Sequence, residues 1–319
     1  MNAQTSLSVR NLTKVFGRGT DPEMLLPGFR KISLEAYPGE SIGLVGESGC
    51  GKTTLARCLT RLIDPDAGEI VVNGQDFMLL EGKALRLFRR HVQIVFQRPE
   101  TSLNPRMTVA HFVGEVFHNF HTVKHGGERQ RLLELVQWVG LREEHLSRYP
   151  HQLSGGEKQR VGVMRALACE PSVIFLDEPT SALDVSVQAQ VLRTLREIQE
   201  RTGVSFILIS HDVAVVRYMC SRLLVMYLGE IVEEGPTETL FARPRHPYTR
   251  ALFDAVPRLH PKTGTPVLLK GELTTRNVRV SSCLLVPRCP FAMEVCASKP
   301  PKITVETGHG VACWLMKNG

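Results

Sequence analysis

Gly46-Glu47-Ser48-Gly49-Cys50-Gly51-Lys52-Thr53 fills every fixed position of a G-x-x-x-x-G-K-T phosphate loop. Its flanks have the required character. Ser41 to Val45 is a short apolar run after the turn Pro38-Gly39-Glu40, and Thr54 to Leu62 reads as a helix. Strand, glycine turn and helix in that order bring successive backbone N–H groups and the positive end of a helix to one point. A triphosphate, with about four negative charges, can be held there without a large desolvation cost. Lys52 offers a point charge to the β and γ phosphates, and Thr53 offers a hydroxyl to Mg²⁺. Gly46, Glu47, Ser48, Gly49, Cys50, Gly51, Lys52, Thr53 and Thr54 form the expected nucleotide-binding set.

Further along, Val173 to Leu176 is a continuous apolar run ending in Asp177-Glu178-Pro179, the pattern of a buried parallel strand with its functional end exposed. Asp177 suits the Mg²⁺-side carboxylate of phosphate-loop ATPases, and Glu178 suits the group that polarises the attacking water. Taken alone, the pair reads equally as two solvated acids at a strand end. Val187 to Gln199 is an amphipathic helix, and Phe206 to Ile209 is a second buried strand ended by Ser210-His211-Asp212. Strand, helix and strand describe a parallel sheet flanked by helices.

The first ninety residues add a β-layer. Leu7 to Phe16 and Phe29 to Tyr37 have strand character, separated by a loop from Gly17 to Gly28, and Glu69 to Val72 runs into the hairpin signal Asn73-Gly74. Pro99 to Ala168 is mostly helical, with Leu132, Leu133, Leu135, Val136 and Val139 on one broad face. After Leu240 the pattern changes. Pro244, Pro247, Pro257, Pro261 and Pro266 break any long element, which sets off an appendage from Phe241 to Gly319.

Bulk properties exclude several classes. The chain has 319 residues, of which 43% are hydrophobic and 22% charged, the make-up of an ordinary globular protein. No run of eighteen apolar residues occurs, so no span is expected, and Met1 to Ser8 lacks the charged-then-apolar order of a signal peptide. A cytosolic location follows as the expectation. The net charge of +7 is a scattered surplus of Arg and Lys without a strong run.

Leu153-Ser154-Gly155-Gly156-Glu157 opens a helix that continues through Val161, Met164 and Leu167. Ser at the N-cap followed by two glycines leaves backbone N–H groups exposed before a positive helix end, an anion site with no anion in its own subunit. Any S-G-G-E could equally be a simple capped helix. In one chain, the phosphate loop, this peptide and the acidic strand end, in this order, resemble the ATP-binding cassette family.

The resemblance implies that two cassettes pair head to tail, with Ser154, Gly155 and Gly156 of one capping the γ-phosphate held by the other's loop. It implies that Gln97, in Val95-Phe96-Gln97, contacts Mg²⁺ and water. It implies further that Asp184, in Ser181-Ala182-Leu183-Asp184, lies on the loop crossing the dimer interface, and that His211 is the switch residue at the γ-phosphate. Phe16 is the candidate aromatic beneath the adenine, although a core Phe reads the same way. The expected catalytic set is thus Glu178, His211, Gln97 and Lys52, with Thr53, Gln97 and Asp177 toward Mg²⁺. The expected fold is α/β: a phosphate-loop ATPase core with an antiparallel β-subdomain, a helical signature subdomain at about 99–168, and a small C-terminal extension. The division falls at 1–240 and 241–319.

The branch can be narrowed. Ser102-Leu103-Asn104-Pro105-Arg106-Met107-Thr108, the run from Asp177 to Gln188, and His246-Pro247-Tyr248-Thr249-Arg250-Ala251-Leu252 look like the oligopeptide, dipeptide and nickel importers, more like the second (F-type) than the first of their two ATPases. Arg288-Cys289-Pro290-Phe291 and His309-Gly310-Val311-Ala312-Cys313 resemble that branch's C-terminal extension. Arg98, Glu100-Thr101 and Leu284-Leu285-Val286 depart from its pattern.

Cys283, Cys289, Cys296 and Cys313, spaced by five, six and sixteen residues, suit soft-metal ligation, and they lack the short C-x₂-C pair of common zinc folds. An iron–sulfur cluster, as in some members of the branch, zinc, and free buried thiols all remain open.

The resemblance implies an ATP-hydrolysing importer subunit on the cytoplasmic face of the inner membrane. Its partners would be a related but different second ATPase, with a homodimer as the alternative, two permeases and an extracytoplasmic binding protein. A short peptide is the first expectation for the solute, then a nickel chelate or another small solute. An accessory ATPase outside transport is the alternative. Work on nucleic acid is disfavoured, because no coiled-coil insertion lies between Lys52 and Ser154 and the chain has no second cassette.

Overall fold

The computed structural model describes residues 5–17, 23–181, 183–255, 267–273 and 278–317. Pro257, Pro261 and Pro266, and much of the Gly17–Gly28 loop, lie outside the described residues.

Two sheets form the scaffold. Strands β1 (Leu7–Val15), β2 (Gly28–Ala36), β4 (Ala67–Val72) and β5 (Gln75–Asp76) make a four-stranded antiparallel sheet in the order β2-β1-β4-β5. The Asn73-Gly74 signal holds: both residues have positive φ, 51° and 80°, and close the β4–β5 hairpin.

The second sheet has eight strands in the order β11-β12-β10-β9-β3-β8-β7-β6. Its parallel centre is β3 (Ser41–Val45), β6 (Val92–Val95), β7 (Val173–Asp177), β8 (Ser205–Ile209) and β9 (Arg222–Tyr227). The unbroken apolar runs have a direct cause here: every residue of β3, β7 and β8 is buried, because both faces of the sheet are covered. The period of two still sorts the side chains. Ile174 and Leu176 face the larger core with Phe206 and Leu208, whereas Val173 and Phe175 face the smaller one with Ile207 and Ile209.

The smaller core joins this sheet to the antiparallel sheet and to α1 (Lys52–Leu59). The short helix α2 (Gly82–Phe88) follows the β5 hairpin. The larger core holds α3 (Val109–Phe120), α4 (Glu128–Trp138), α5 (Gly155–Ala168), α6 (Val185–Thr202) and α7 (Val213–Met219). The helical stretch is therefore real, although short 3-10 turns interrupt it at Glu143–Ser147 and Pro150–Gln152.

The extension continues the core sheet. After β10 (Glu230–Pro236), α8 (Thr237–Ala242) and α9 (Pro247–Asp254), the chain returns as the hairpin β11 (Lys302–Glu306) and β12 (His309–Ala312). β12 pairs antiparallel with β10, Glu233 opposite Val311. The change in sequence character near residue 240 is thus crossed by a shared sheet. Leu284 and Leu285, which depart from the branch's pattern, are buried in the larger core, and this accounts for their apolar character.

Candidate functional site

The phosphate loop runs from the carboxyl end of β3 into α1, beside the ends of β7, β8 and β9. Two glycines are required by close approach. A Cβ on Gly46 would lie 2.2 Å from the Met226 carbonyl oxygen, and one on Gly51, at φ +109°, would lie 2.9 Å from the Gly28 carbonyl oxygen. No side chain caps α1 and no acid lies in its first turn, so its N–H groups stay open. Lys52 is buried, and its Nζ donates to the carbonyl oxygens of Gly46 at 2.7 Å and Glu47 at 2.9 Å, which curls the loop around its ammonium.

Asp177 ends β7. Thr53 Oγ1 donates to its Oδ1 at 3.4 Å, and burial raises the carboxyl's pKa, with the Thr53 bond opposing. Glu178 has a left-handed backbone, φ 48°, uncommon for a non-glycine residue. Its N–H is fixed to the Ile209 carbonyl at the end of β8 at 2.8 Å. Its carboxylate receives Gln97 Nε2 at 2.6 Å on one oxygen and faces His211 Nδ1 at 3.0 Å on the other.

Gln97 follows β6 and His211 follows β8, so three strand ends converge on one carboxylate. Ser181, which the sequence reading did not single out as a site residue, joins them by accepting from Gln97 Nε2 at 3.2 Å. These groups open on a cleft of about 580 Å³ lined by Ser48, Gly49, Gly51, Lys52, Thr53, Thr54, Gln97, Glu178 and His211. Phe16 also lines it, 42% exposed, with the Lys14 ammonium 5.8 Å from its ring centroid. Cys50 faces inward, buried, with its thiol pKa raised by burial.

Ser154, Gly155 and Gly156 do not line this cleft. Ser154 caps α5 in a capping box: its Oγ accepts from Glu157 N–H at 3.3 Å, while Glu157 accepts from Ser154 N–H at 2.8 Å. The bond from the Ser154 backbone lowers the Glu157 pKa, helped by the Ser154 hydroxyl and by His145, whose Nε2 lies 3.0 Å away. Ser154 and Gly155 are exposed. Asp184 caps α6 with a single bond, accepting from Val187 N–H at 3.0 Å, and the adjacent Val185 is 84% exposed.

The four C-terminal cysteines are free. The Cys283 N–H donates to the Cys296 carbonyl at 3.0 Å, and burial raises the Cys283 thiol to about 11. Burial also raises Cys289 and Cys313. Among the described residues, no group of three or more His, Cys, Asp or Glu side chains is arranged to hold a metal ion. Neither an iron–sulfur cluster nor zinc has support in this placement.

Comparison with known proteins agrees with this geometry. A family model described as ABC transporter matches residues 29–181, and one described as Oligopeptide/dipeptide transporter, C-terminal region, matches 232–296. A putative peptide import ATP-binding protein of Brucella ovis is 43% identical over 310 residues, covering 96% of each chain. The di/tripeptide transport ATP-binding protein DppF of Pseudomonas aeruginosa is 40% identical, covering 97% of each. The oligopeptide transport ATP-binding protein OppF of Escherichia coli is 42% identical, covering 92% of this chain and 89% of its own. Among solved structures, a dimeric ATP-binding cassette in a post-hydrolysis state with ADP and Pi matches with a TM-score of 0.64 at 29% identity, covering 72% of this chain and 98% of that one. The chain belongs to the ABC transporter family, as an ATP-binding subunit that hydrolyses ATP.

Proposed function

We propose that this chain energises the import of short peptides through a composite nucleotide site shared between two cassettes. The observation that carries the hydrolytic reading is the convergence of Gln97 and His211 on the carboxylate of Glu178 beside the phosphate loop. Lys52 and the open N–H groups of α1 hold the β and γ phosphates. Phe16 stacks on the adenine. Glu178 takes a proton from the attacking water, Gln97 orients that water, and His211 contacts the γ-phosphate. The oxygens of Thr53 and Asp177, with Gln97 nearby, suit Mg²⁺, a hard cation that accepts few protein ligands beside phosphates and water. Held there with the nucleotide, Mg²⁺ would supply positive charge against that developing on the phosphates. The exposed Ser154 and Gly155 cap the γ-phosphate of the partner's nucleotide, and Asp184 with Val185 meets the partner.

The C-terminal match and the peptide-importer relatives support short peptides as the cargo class. In this reading the partners are a second ATPase, two permeases and an extracytoplasmic binding protein, at the cytoplasmic face of the inner membrane. Among the described residues no helix is long and apolar enough to cross a membrane, which agrees with attachment through permeases. The test is ATP-driven uptake into vesicles carrying the purified permeases, the binding protein and this chain. Uptake of labelled di- to pentapeptides, lost with Glu178→Gln, supports the reading. Uptake of a nickel chelate with no peptide uptake overturns the cargo class.

A further inference from the structure

One residue of the phosphate loop is gripped twice by side chains from the C-terminal extension. Tyr248, on α9, is fully buried, and its Oη accepts a hydrogen bond from the Glu47 N–H at 2.7 Å. Arg288 donates from Nη1 to both carboxylate oxygens of the same Glu47, at 3.2 and 2.9 Å. The two grips brace each other through Tyr227: the Arg288 guanidinium lies 6.0 Å from its ring centroid, and its ring packs on that of Tyr248, centroids 4.6 Å apart.

The support behind Tyr248 is itself tied down. The Tyr248 N–H donates to His246 Nδ1 at 3.1 Å. The backbone N–H groups of Arg245 and His246 donate to the buried carboxylate of Glu233, at 2.8 and 2.9 Å, which also holds His309 Nε2 of β12 at 2.8 Å. β10, α9 and β12 are thus closed around one carboxylate, and this fixes where the Tyr248 hydroxyl lies. Burial holds His246 neutral, its pKa depressed to about 3, and keeps the Tyr248 phenol protonated.

On the loop side, the Glu47 carbonyl receives the Lys52 ammonium at 2.9 Å. Glu47 therefore links the extension, through its N–H and carboxylate, to the loop lysine, through its carbonyl. A shift of Glu47 moves the acceptor that aims Lys52.

We propose that Tyr248 and Arg288 are positioning residues for ATP capture, holding Glu47 so that Lys52 and the glycine turn are preset for the triphosphate. This rests on residues 46–54 being the phosphate loop. A loop released from Glu47 samples other conformers, and apparent affinity falls by the fraction that remains competent. Once nucleotide fills the loop, its phosphates restore the geometry, so the loss falls on binding rather than on the bound-state step.

The experiment is an equilibrium titration of the full chain, in which ATP displaces trinitrophenyl-ATP, together with steady-state KM and kcat. Tyr248→Phe and Arg288→Ala are each expected to raise Kd and KM by about threefold to tenfold, with kcat falling by less than about twofold. Arg288→Lys keeps the charge but loses the Nε bond to the Lys270 carbonyl and the planar contact with the Tyr227 ring, and should recover part of the loss. Melting temperatures are recorded for each variant, and if Tyr248→Phe fails to fold, the Arg288 pair decides. Lys52→Ala separates the two levels. If it binds ATP as the wild type does, the phosphate-loop reading falls. If it loses binding while folded Tyr248→Phe and Arg288→Ala match the wild type in Kd and KM, or lose only kcat, the positioning role is overturned and the loop reading stands.

Discussion

The nucleotide cleft and the signature helix are built on opposite plans. In the cleft, Gln97, Asp177, Glu178 and His211 come from the ends of three strands and meet beside Lys52 and Thr53. Their polar atoms are aimed at a shared space. At the other end, Ser154 and Glu157 satisfy one another, and Asp184 satisfies the first turn of α6. What those ends still offer is a helix end with its first backbone N–H groups, and among the described residues no ligand receives them. The lining of the cleft comes from one chain. In the proposed reading, the signature region is used only when a second cassette brings a nucleotide to it.

The strongest challenge to that contrast is Glu178→Gln. Phosphate release should fall by about 10²- to 10⁴-fold, while gel filtration with MgATP still gives a dimer. Wild-type turnover in this variant would mean that the strand ends converge on the wrong carboxylate. Ser154→Arg is the counterpart at the other end. It should lower hydrolysis about 10²-fold, the scale for losing donors to developing charge, yet leave the ATP affinity of the dilute chain unchanged. Equal losses in both measurements would erase the distinction between the two regions.

Smaller effects sharpen the comparison through stability. Burial raises the folded pKa of Asp177 above 3.8, so its ionised form opposes folding. That opposition grows as pH rises from the unfolded value through the folded one, and it is absent below both. Asp177→Asn, measured by thermal melting at neutral pH without nucleotide, should therefore raise Tm by roughly 1–3 °C. Glu157 has the opposite sign. Its folded pKa is lowered from 4.5, first by the Ser154 N–H, so its stabilisation is present above that value and is lost as pH falls through the folded pKa. Glu157→Gln should cost under about 1 kcal/mol at neutral pH and flatten the acid limb of a denaturant-midpoint series. An unchanged acid limb would place the stability of the signature helix elsewhere.

The parts of this molecule that were legible were those with a local signal. The runs Ser41–Val45, Val173–Leu176 and Phe206–Ile209 read as buried strands because both faces are covered, and the glycines of 46–51 mark a turn in which a Cβ on Gly46 or Gly51 would fall 2.2 or 2.9 Å from a backbone oxygen. Asn73-Gly74 fixed a hairpin within four residues of chain. β11 carried no such signal: Lys302-Ile303-Thr304-Val305-Glu306 is a modest alternation, and it reaches the core sheet only because β12 pairs with β10. Tyr248 and Arg288 stood in stretches that marked the branch, yet their contact with Glu47 spans 201 and 241 residues.

The sequence by itself determined the class of chemistry, because a phosphate loop, a strand-end acid pair and a capped glycine pair are each defined by neighbours a few residues apart. Only the tertiary structure decided which of them share a space. It set Gln97 and His211 on Glu178, left Ser154 and Asp184 outside the cleft, and brought the C-terminal extension against the phosphate loop. The physical reason is that turns and caps are fixed by local backbone geometry. Contacts between distant segments depend on sheet order and on burial, which no short stretch contains.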